Sequence, residues 1–131
     1  MKTSEIEKLK YPIGEFKTPD NITKAHINTW ISDIETFPNS IETETKTLSE
    51  AELNYNYRPN GWNIRQVVHH CADSHINCIT RFKLALTDDA PTIRAYYEDR
   101  WATLADYEQN INTALDILKG VHAKLCILLR S

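Results

Sequence analysis

The segment from Gly61 to His75 reads GWNIRQVVHHCADSH, and the chain continues beyond it to Leu86 without another Gly or Pro. Asn63 is a preferred N-cap residue, and Gln66, three positions later, can bond back to the Asn63 backbone N–H as a capping box. The uninterrupted run that follows is long enough for about six helical turns. We therefore predict a long helix from Ile64 to Leu86 that begins at Asn63.

The predicted helix has two faces of different character. At about 100° per residue, His70 lies at the centre of a polar stripe. The other members of this polar stripe are Gln66, Asp73, Ser74, Asn77 and Arg81. The opposite face is apolar and holds Ile64, Val68, Ile79, Phe82 and Leu86. Periodicity alone favours a solvated helix surface for the stripe, and a functional site centred on His70 is the alternative.

The other histidines are weaker candidates for a site. His75 falls about 140° from His70, within the apolar face, so the two cannot join one ligand set from the same helix. We expect His75 to be a buried histidine bonded to a neighbour. His26 and His122 each stand alone on other predicted helices. A metal needs three or four ligands, whereas His70 with a carboxylate one turn away supplies two, so the residues alone favour a structural role for His70.

Composition places the chain among ordinary globular domains. Its 131 residues suffice for one domain with its own core, and 41% hydrophobic and 25% charged residues are typical values. A net charge of −3 gives no electrostatic support for binding nucleic acid or an anionic membrane. No apolar run approaches a membrane span and no signal-peptide pattern is visible, so we predict a cytoplasmic protein. The cysteines form no C-x-x-C pair and indicate neither a disulfide framework nor a structural zinc site.

The residues before the central segment predict an arm and a second long helix. Residues 1–20 contain two of the five prolines and are interpreted as an extended arm. A long helix is predicted from about Ile22 to Thr47, with Asp20 or Asn21 as its cap. Pro38 lies inside this helix and should kink it or split it in two, because proline removes a hydrogen bond to the preceding turn.

Three further helical segments are predicted. A capping box between Ser49 and Glu52 indicates one short helical turn. A short helix is predicted within residues 93–101, after residues 87–91, which end the preceding helix. The last long helix runs from about Leu104 to Arg130, where apolar residues recur at helical spacing.

Three long amphipathic helices predict an all-α bundle, whose commonest closed form has four helices. The chain reaches Ser131 directly after the apolar run at residues 125–129. We therefore expect that a fourth helix is missing from this chain, or that a second copy covers the open face, and we favour part of a longer protein. Since an open apolar face is costly in water, we also expect association. A non-catalytic helical interaction module, with that face as a partner-binding groove, is an alternative of another class.

Three segments of the sequence resemble one known family. They are YPIGEF at residues 11–16, RPNGWNIRQVVHHCADSH at 58–75 and RFKLALT at 81–87. Together they are similar to the YfiT-like metal-dependent hydrolases of the DinB superfamily, and the similarity extends along essentially the whole chain. The resemblance implies an up-down four-helix bundle, usually a homodimer. It thus implies a single domain over residues 1–131 that lacks the fourth helix.

The resemblance also implies an open site that binds zinc or nickel through three histidines. The family's first ligand precedes a Leu-Ala-Asp sequence, which corresponds here to His70 before Cys71-Ala72-Asp73, with Cys71 replacing the usual Leu. His69 and His75 match family positions that are not ligands. The other two ligands form an H-x-x-x-H pair on the fourth helix, which we expect beyond Ser131. This chain alone should therefore bind metal weakly or not at all, and should be inactive by itself.

The activity that the resemblance implies is hydrolysis of a small-molecule substrate, with the catalytic residues unassigned. Three imidazoles leave metal positions open for water or for a thiolate, so the same ligands serve hydrolysis and thiol transfer. Metal-dependent transfer of a low-molecular-weight thiol is therefore an alternative activity. Asp73 and Gln66, one turn from His70, could orient its second ring nitrogen, and surface hydration is an equally good interpretation of both.

Overall fold

The structure is a computed structural model that describes residues 2–131. Within this range it contains six α-helices and one 3-10 helix, and no strand beyond an isolated antiparallel bridge between Asn56 and Asn63. The helices are α1 Thr3–Lys10, α2 Lys24–Thr45, α3 Glu50–Leu53, α4 Ile64–Thr87, α5 Glu98–Trp101 and α6 Asn112–Arg130, with the 3-10 helix at Ala105–Glu108. None of these helices is long and apolar enough to cross a membrane. The all-α prediction is confirmed.

The start of α4 follows the predicted capping box. Asn63 Oδ1 accepts a hydrogen bond from the Gln66 backbone N–H at 2.8 Å, and Gln66 Oε1 accepts one from the Asn63 N–H at 3.0 Å. These bonds satisfy donors that have no partner inside the helix. The capping box of Ser49 with Glu52 is formed as well, at the start of α3.

The N-terminal part of the chain differs from the prediction. The extended arm predicted for residues 1–20 is wrong for Thr3–Lys10, which form α1, and residue 1 lies outside the described residues. The Glu5 side chain accepts a bond from the Lys2 N–H at 2.8 Å, which stabilises this start. The N-cap of α2 is Thr23, whose Oγ1 accepts from the His26 N–H at 3.3 Å, so the prediction of Asp20 or Asn21 is also wrong.

The C-terminal elements are shorter than predicted. The helix expected from Leu104 to Arg130 is divided, because the 3-10 helix ends at Glu108 and α6 begins only at Asn112. Between them the Asn110 side chain accepts a bond from the Asn112 N–H at 2.8 Å. Such local side-chain bonds compete with helix formation. The short helix predicted within residues 93–101 forms only at Glu98–Trp101.

The core lies between the three long helices. Helix α6 packs against both α2 and α4. The buried cluster between α3, α4 and the start of α6 consists of Leu53, Val68, Ala72, Ile111, Ala114, Leu115 and Leu118, and Phe37 and Ile41 of α2 pack against it. On the apolar face of α4, Val68 and Ile79 are buried as predicted, whereas Phe82 and Leu86 near the end of the helix are exposed.

Pro38 is buried inside α2, and the helix continues through it from Lys24 to Thr45, so the predicted split is wrong. Because proline has no N–H, the carbonyl of Ile34, four residues earlier, loses its usual partner within the helix. His122 Nδ1, on α6, donates a hydrogen bond to that carbonyl. A side chain of a neighbouring helix thus satisfies the group that Pro38 leaves without a donor.

Candidate functional site

His70 lies on α4 and is partly buried. Its Nδ1 atom is buried and has no hydrogen-bond partner among residues 2–131. The indole of Trp62 lies against the imidazole, with ring centroids 4.7 Å apart and planes inclined by 56°. Since nearly all buried polar atoms in folded proteins have a partner, this nitrogen requires an explanation. A group that binds the ring from outside the described residues would provide one.

The loop before α4 holds Trp62 beside His70. Asn60 has a φ of 57°, in the left-handed region that Asn tolerates better than most residues. At Gly61, an added Cβ would lie 2.6 Å from Arg58 Cγ, 3.0 Å from the Tyr57 ring and 3.2 Å from the Arg58 carbonyl oxygen. A side chain at this position would displace its neighbours, so the missing Cβ lets the loop fold tightly before Trp62.

The polar stripe of α4 faces the connecting segment between α4 and α6, residues 88–111. Three stripe side chains bond to this segment: Gln66 Nε2 donates to Ala102 O at 3.2 Å, Tyr107 Oη donates to Asp73 Oδ2 at 2.7 Å, and Arg81 Nη2 donates to Arg94 O at 3.1 Å. The interpretation of the stripe as a solvated surface is therefore wrong for Gln66 and Asp73, whose bonds are partly buried, whereas the bond of Arg81 is exposed. His70 lies between them.

Asp73 and Gln66 do not orient His70 in this arrangement. The Gln66 amide oxygen accepts from the Asn63 N–H at the helix cap, and its nitrogen donates to the Ala102 carbonyl. Asp73 accepts the hydrogen bond of Tyr107, a phenol whose pKa is raised above its usual value by burial and by the neighbouring Asp73 carboxylate. Tyr107 therefore stays protonated and acts as a donor. Both stripe residues hold the connecting segment onto α4.

The remaining histidines are bonded elsewhere. His75 Nδ1 lies 2.6 Å from His122 Nε2, so the prediction of a histidine bonded to a neighbour is confirmed, although the ring is only partly buried. His69 is buried, and its Nε2 donates to the Gln109 carbonyl at 3.1 Å. His26 Nδ1 lies 3.1 Å from the Thr23 backbone nitrogen at the start of α2.

The side chains around His70 provide only part of a metal site. Among residues 2–131, no group of three or more His, Cys, Asp or Glu side chains is placed to hold a metal ion. Zinc sites in proteins use at least three protein ligands. The described part of the chain therefore offers His70 as a single candidate donor and does not complete a site.

Comparison with known proteins identifies the family. The model of the DinB superfamily matches residues 34–131. A "putative metal-dependent hydrolase" of Halalkalibacterium halodurans is 43% identical over 122 residues, which cover 93% of this chain and 71% of that protein. One of Oceanobacillus iheyensis with the same description is 44% identical over 121 residues, covering 92% and 70%.

A solved structure gives the same result at the level of the fold. It is YfiT from Bacillus subtilis, described as "a probable metal-dependent hydrolase with an unusual four-helix bundle topology". The TM-score is 0.90 at 40% sequence identity, over 94% of this chain and 71% of that chain. The family model and the relatives agree with this structural match, and the chain belongs to the DinB superfamily, with a YfiT-like bundle fold.

Proposed function

We propose that this chain is part of a metal-dependent hydrolase in which His70 is one ligand of a divalent cation. The observation that carries the proposal is the buried Nδ1 of His70, which lacks a partner among residues 2–131 while Trp62 packs on the ring. Because Nδ1 has no hydrogen-bond partner among residues 2–131, no bond at this atom fixes the tautomer of the imidazole. The ring is therefore able to present a lone pair to a cation.

The relatives support hydrolysis as the reaction class. The proteins of H. halodurans and O. iheyensis carry the description "putative metal-dependent hydrolase", and YfiT is described as "a probable metal-dependent hydrolase". These descriptions concern those proteins, and they make hydrolysis of a small molecule the first activity to test in this one. Zinc and nickel both suit imidazole ligands and are the proposed cations. A bound cation of this kind activates water at neutral pH or holds a thiolate.

The other ligands in this proposal come from outside the described residues, since those contain no group of three donors. The family resemblance favours a pair of histidines spaced by four residues on a further helix, because that spacing puts both on one helix face. Exposed apolar side chains on α4 and α6, with Leu86 64% and Ile127 73% exposed, favour a homodimer.

The test is metal analysis of the purified protein, as its gene encodes it, beside two variants. We expect stoichiometric zinc or nickel in the wild type and a higher melting temperature when the metal is added. His70→Ala should lose both effects and keep its helical circular dichroism. His26→Gln, which alters a histidine at the start of α2, is the matched control and should retain the metal. A wild type that purifies without metal, and that zinc and nickel do not stabilise, would contradict the proposal.

Activity assays separate the alternatives. Turnover of esters or amides by the metal-loaded protein supports hydrolysis. Turnover only when a low-molecular-weight thiol and an electrophile are both present would replace hydrolysis by thiol S-transfer, which uses the same ligands. Absence of metal and of turnover, together with binding of a partner helix, would instead support a non-catalytic interaction module.

A further inference from the structure

Three helices meet at a pair of histidines. His75 Nδ1 on α4 lies 2.6 Å from His122 Nε2 on α6, and His122 Nδ1 bonds to the Ile34 carbonyl on α2. The His122 side chain is 4% exposed. Phe37 packs on both imidazoles, with its ring centroid 5.3 Å from each. The pair therefore completes a continuous chain of hydrogen bonds from α2 through α6 to α4.

The Ile34 carbonyl determines where the protons lie. A carbonyl oxygen only accepts, so His122 Nδ1 carries the proton, and Nε2 of the neutral ring presents a lone pair. His75 must then donate from its own Nδ1, which leaves His75 Nε2 without a proton. The carbonyl is available to His122 because Pro38, inside α2, has no N–H to offer it.

The His75–His122 pair can bind one additional proton and keep its hydrogen bond, but it cannot bind two. With one proton added, either ring becomes an imidazolium that donates across the 2.6 Å contact to the other. With two protons added, N–H groups of two cations face each other, and like charges at this distance repel strongly. Double protonation is therefore incompatible with the observed contact.

The surrounding charged groups do not relieve this conflict. The groups that share a groove with His122 are Glu35 of α2 and Lys119, Cys126 and Arg130 of α6, and His70 of α4 adds its charge near His75. Glu35 is held by two hydrogen bonds from Arg130, at 3.0 and 2.7 Å. Burial raises the pKa of the Cys126 thiol, which stays neutral. No carboxylate among these groups is left to compensate a second imidazolium.

We propose that the Ile34 carbonyl, His122 and His75 form an acid-sensitive clasp, which holds α2, α4 and α6 together as long as no more than one of the two imidazoles is protonated. His70 takes part in none of the hydrogen bonds of the clasp, although its charge lies near His75. Burial, followed by the charges of His122 and His70, lowers the pKa of His75 to about 4. A histidine in the unfolded chain titrates near pH ~6.5, so the unfolded state binds more protons between these values. Stability is therefore full above that range and falls as the pH drops through it.

Urea unfolding at pH 7 and pH 5 tests the clasp in the wild-type chain, in His75→Gln and in His26→Gln. If the pKa of His75 is about 4 in the folded protein and ~6.5 in the unfolded chain, the unfolding equilibrium constant rises more than tenfold between pH 7 and pH 5. Partial exposure of the ring reduces this rise. We therefore expect the constant to rise roughly tenfold more in the wild type than in His75→Gln. The glutamine amide can donate to neutral His122, and its carbonyl can accept from the protonated ring. His26→Gln should keep the wild-type pH dependence.

Side-chain nitrogen NMR of the wild type at pH 7 is a second readout, and it does not depend on whether a variant folds. We expect the proton on Nδ1 in both His75 and His122. A His122 ring with its proton on Nε2 alone would overturn the clasp. Equal pH dependence of unfolding in the wild type and in a folded His75→Gln would overturn it as well.

Discussion

Replacing His122 by Phe should destabilise the protein in a way that depends on the residue at position 38. His122→Phe keeps an aromatic ring beside Phe37 but removes the donor to the Ile34 carbonyl and the acceptor for His75 Nδ1. Leaving a buried polar group without its partner costs about 1–3 kcal/mol. Because Ile34 and His75 are only partly buried, water can partly replace the lost partners, and we expect a total loss of about 2–4 kcal/mol in the free energy of unfolding.

The Pro38→Ala background separates the carbonyl from the other contacts of His122. An alanine at this position supplies the N–H that bonds to the Ile34 carbonyl within α2. His122→Phe should then cost less in this background, by about 1–2 kcal/mol, which is the contribution of the single carbonyl. Whatever Pro38→Ala does by itself cancels in the double-mutant cycle.

Urea unfolding of the wild type, the two single variants and the double variant at pH 7 provides the four free energies. If His122→Phe costs about 1–2 kcal/mol less in the Pro38→Ala background than in the wild type, the compensation of Pro38 by His122 is supported. Additivity of the two substitutions within about 0.5 kcal/mol would refute it, since residues that share no partner behave additively.

Three further substitutions test the elements around the site. Asn63→Ala removes the N-cap of α4 and should cost about 1 kcal/mol in the free energy of unfolding, measured by urea denaturation. Gly61→Ala places a Cβ 2.6 Å from Arg58 Cγ, so we expect a loss of about 1–2 kcal/mol and a change in Trp fluorescence as Trp62 moves. Tyr107→Phe leaves Asp73 without its donor and should cost about 1–2 kcal/mol. In the wild type, ultraviolet titration should show one tyrosine that ionises at higher pH than the others, and this component should be missing in Tyr107→Phe.

Local patterns predicted the central part of the fold. The capping boxes at Asn63 and Ser49 depend on residues three positions apart, so the chain itself brings the partners together. The apolar periodicity predicted the long helices correctly because α6 packs its apolar residues against both α2 and α4. The position of His70 on the polar stripe also follows from helical geometry alone.

Contacts between distant residues could not be predicted in the same way. Tyr107 bonds to Asp73 across 34 positions, and His75 meets His122 across 47, and no local pattern encodes either pair. For this reason the polar stripe resembled a solvated surface, although the connecting segment covers part of it. Pro38 was expected to kink or split α2. The split does not occur, and the donor that compensates the proline could not be foreseen because it lies 88 positions from Ile34.

X-ray absorption spectroscopy of the nickel- or zinc-loaded protein is the most direct measurement of the role of His70. If the imidazole at position 70 is a ligand, the wild-type spectrum contains imidazole scattering, and His70→Ala either loses the metal or shows one imidazole fewer. His26→Gln should give the wild-type spectrum. If instead the metal content and the imidazole coordination are the same in the wild type and in His70→Ala, His70 is not a ligand.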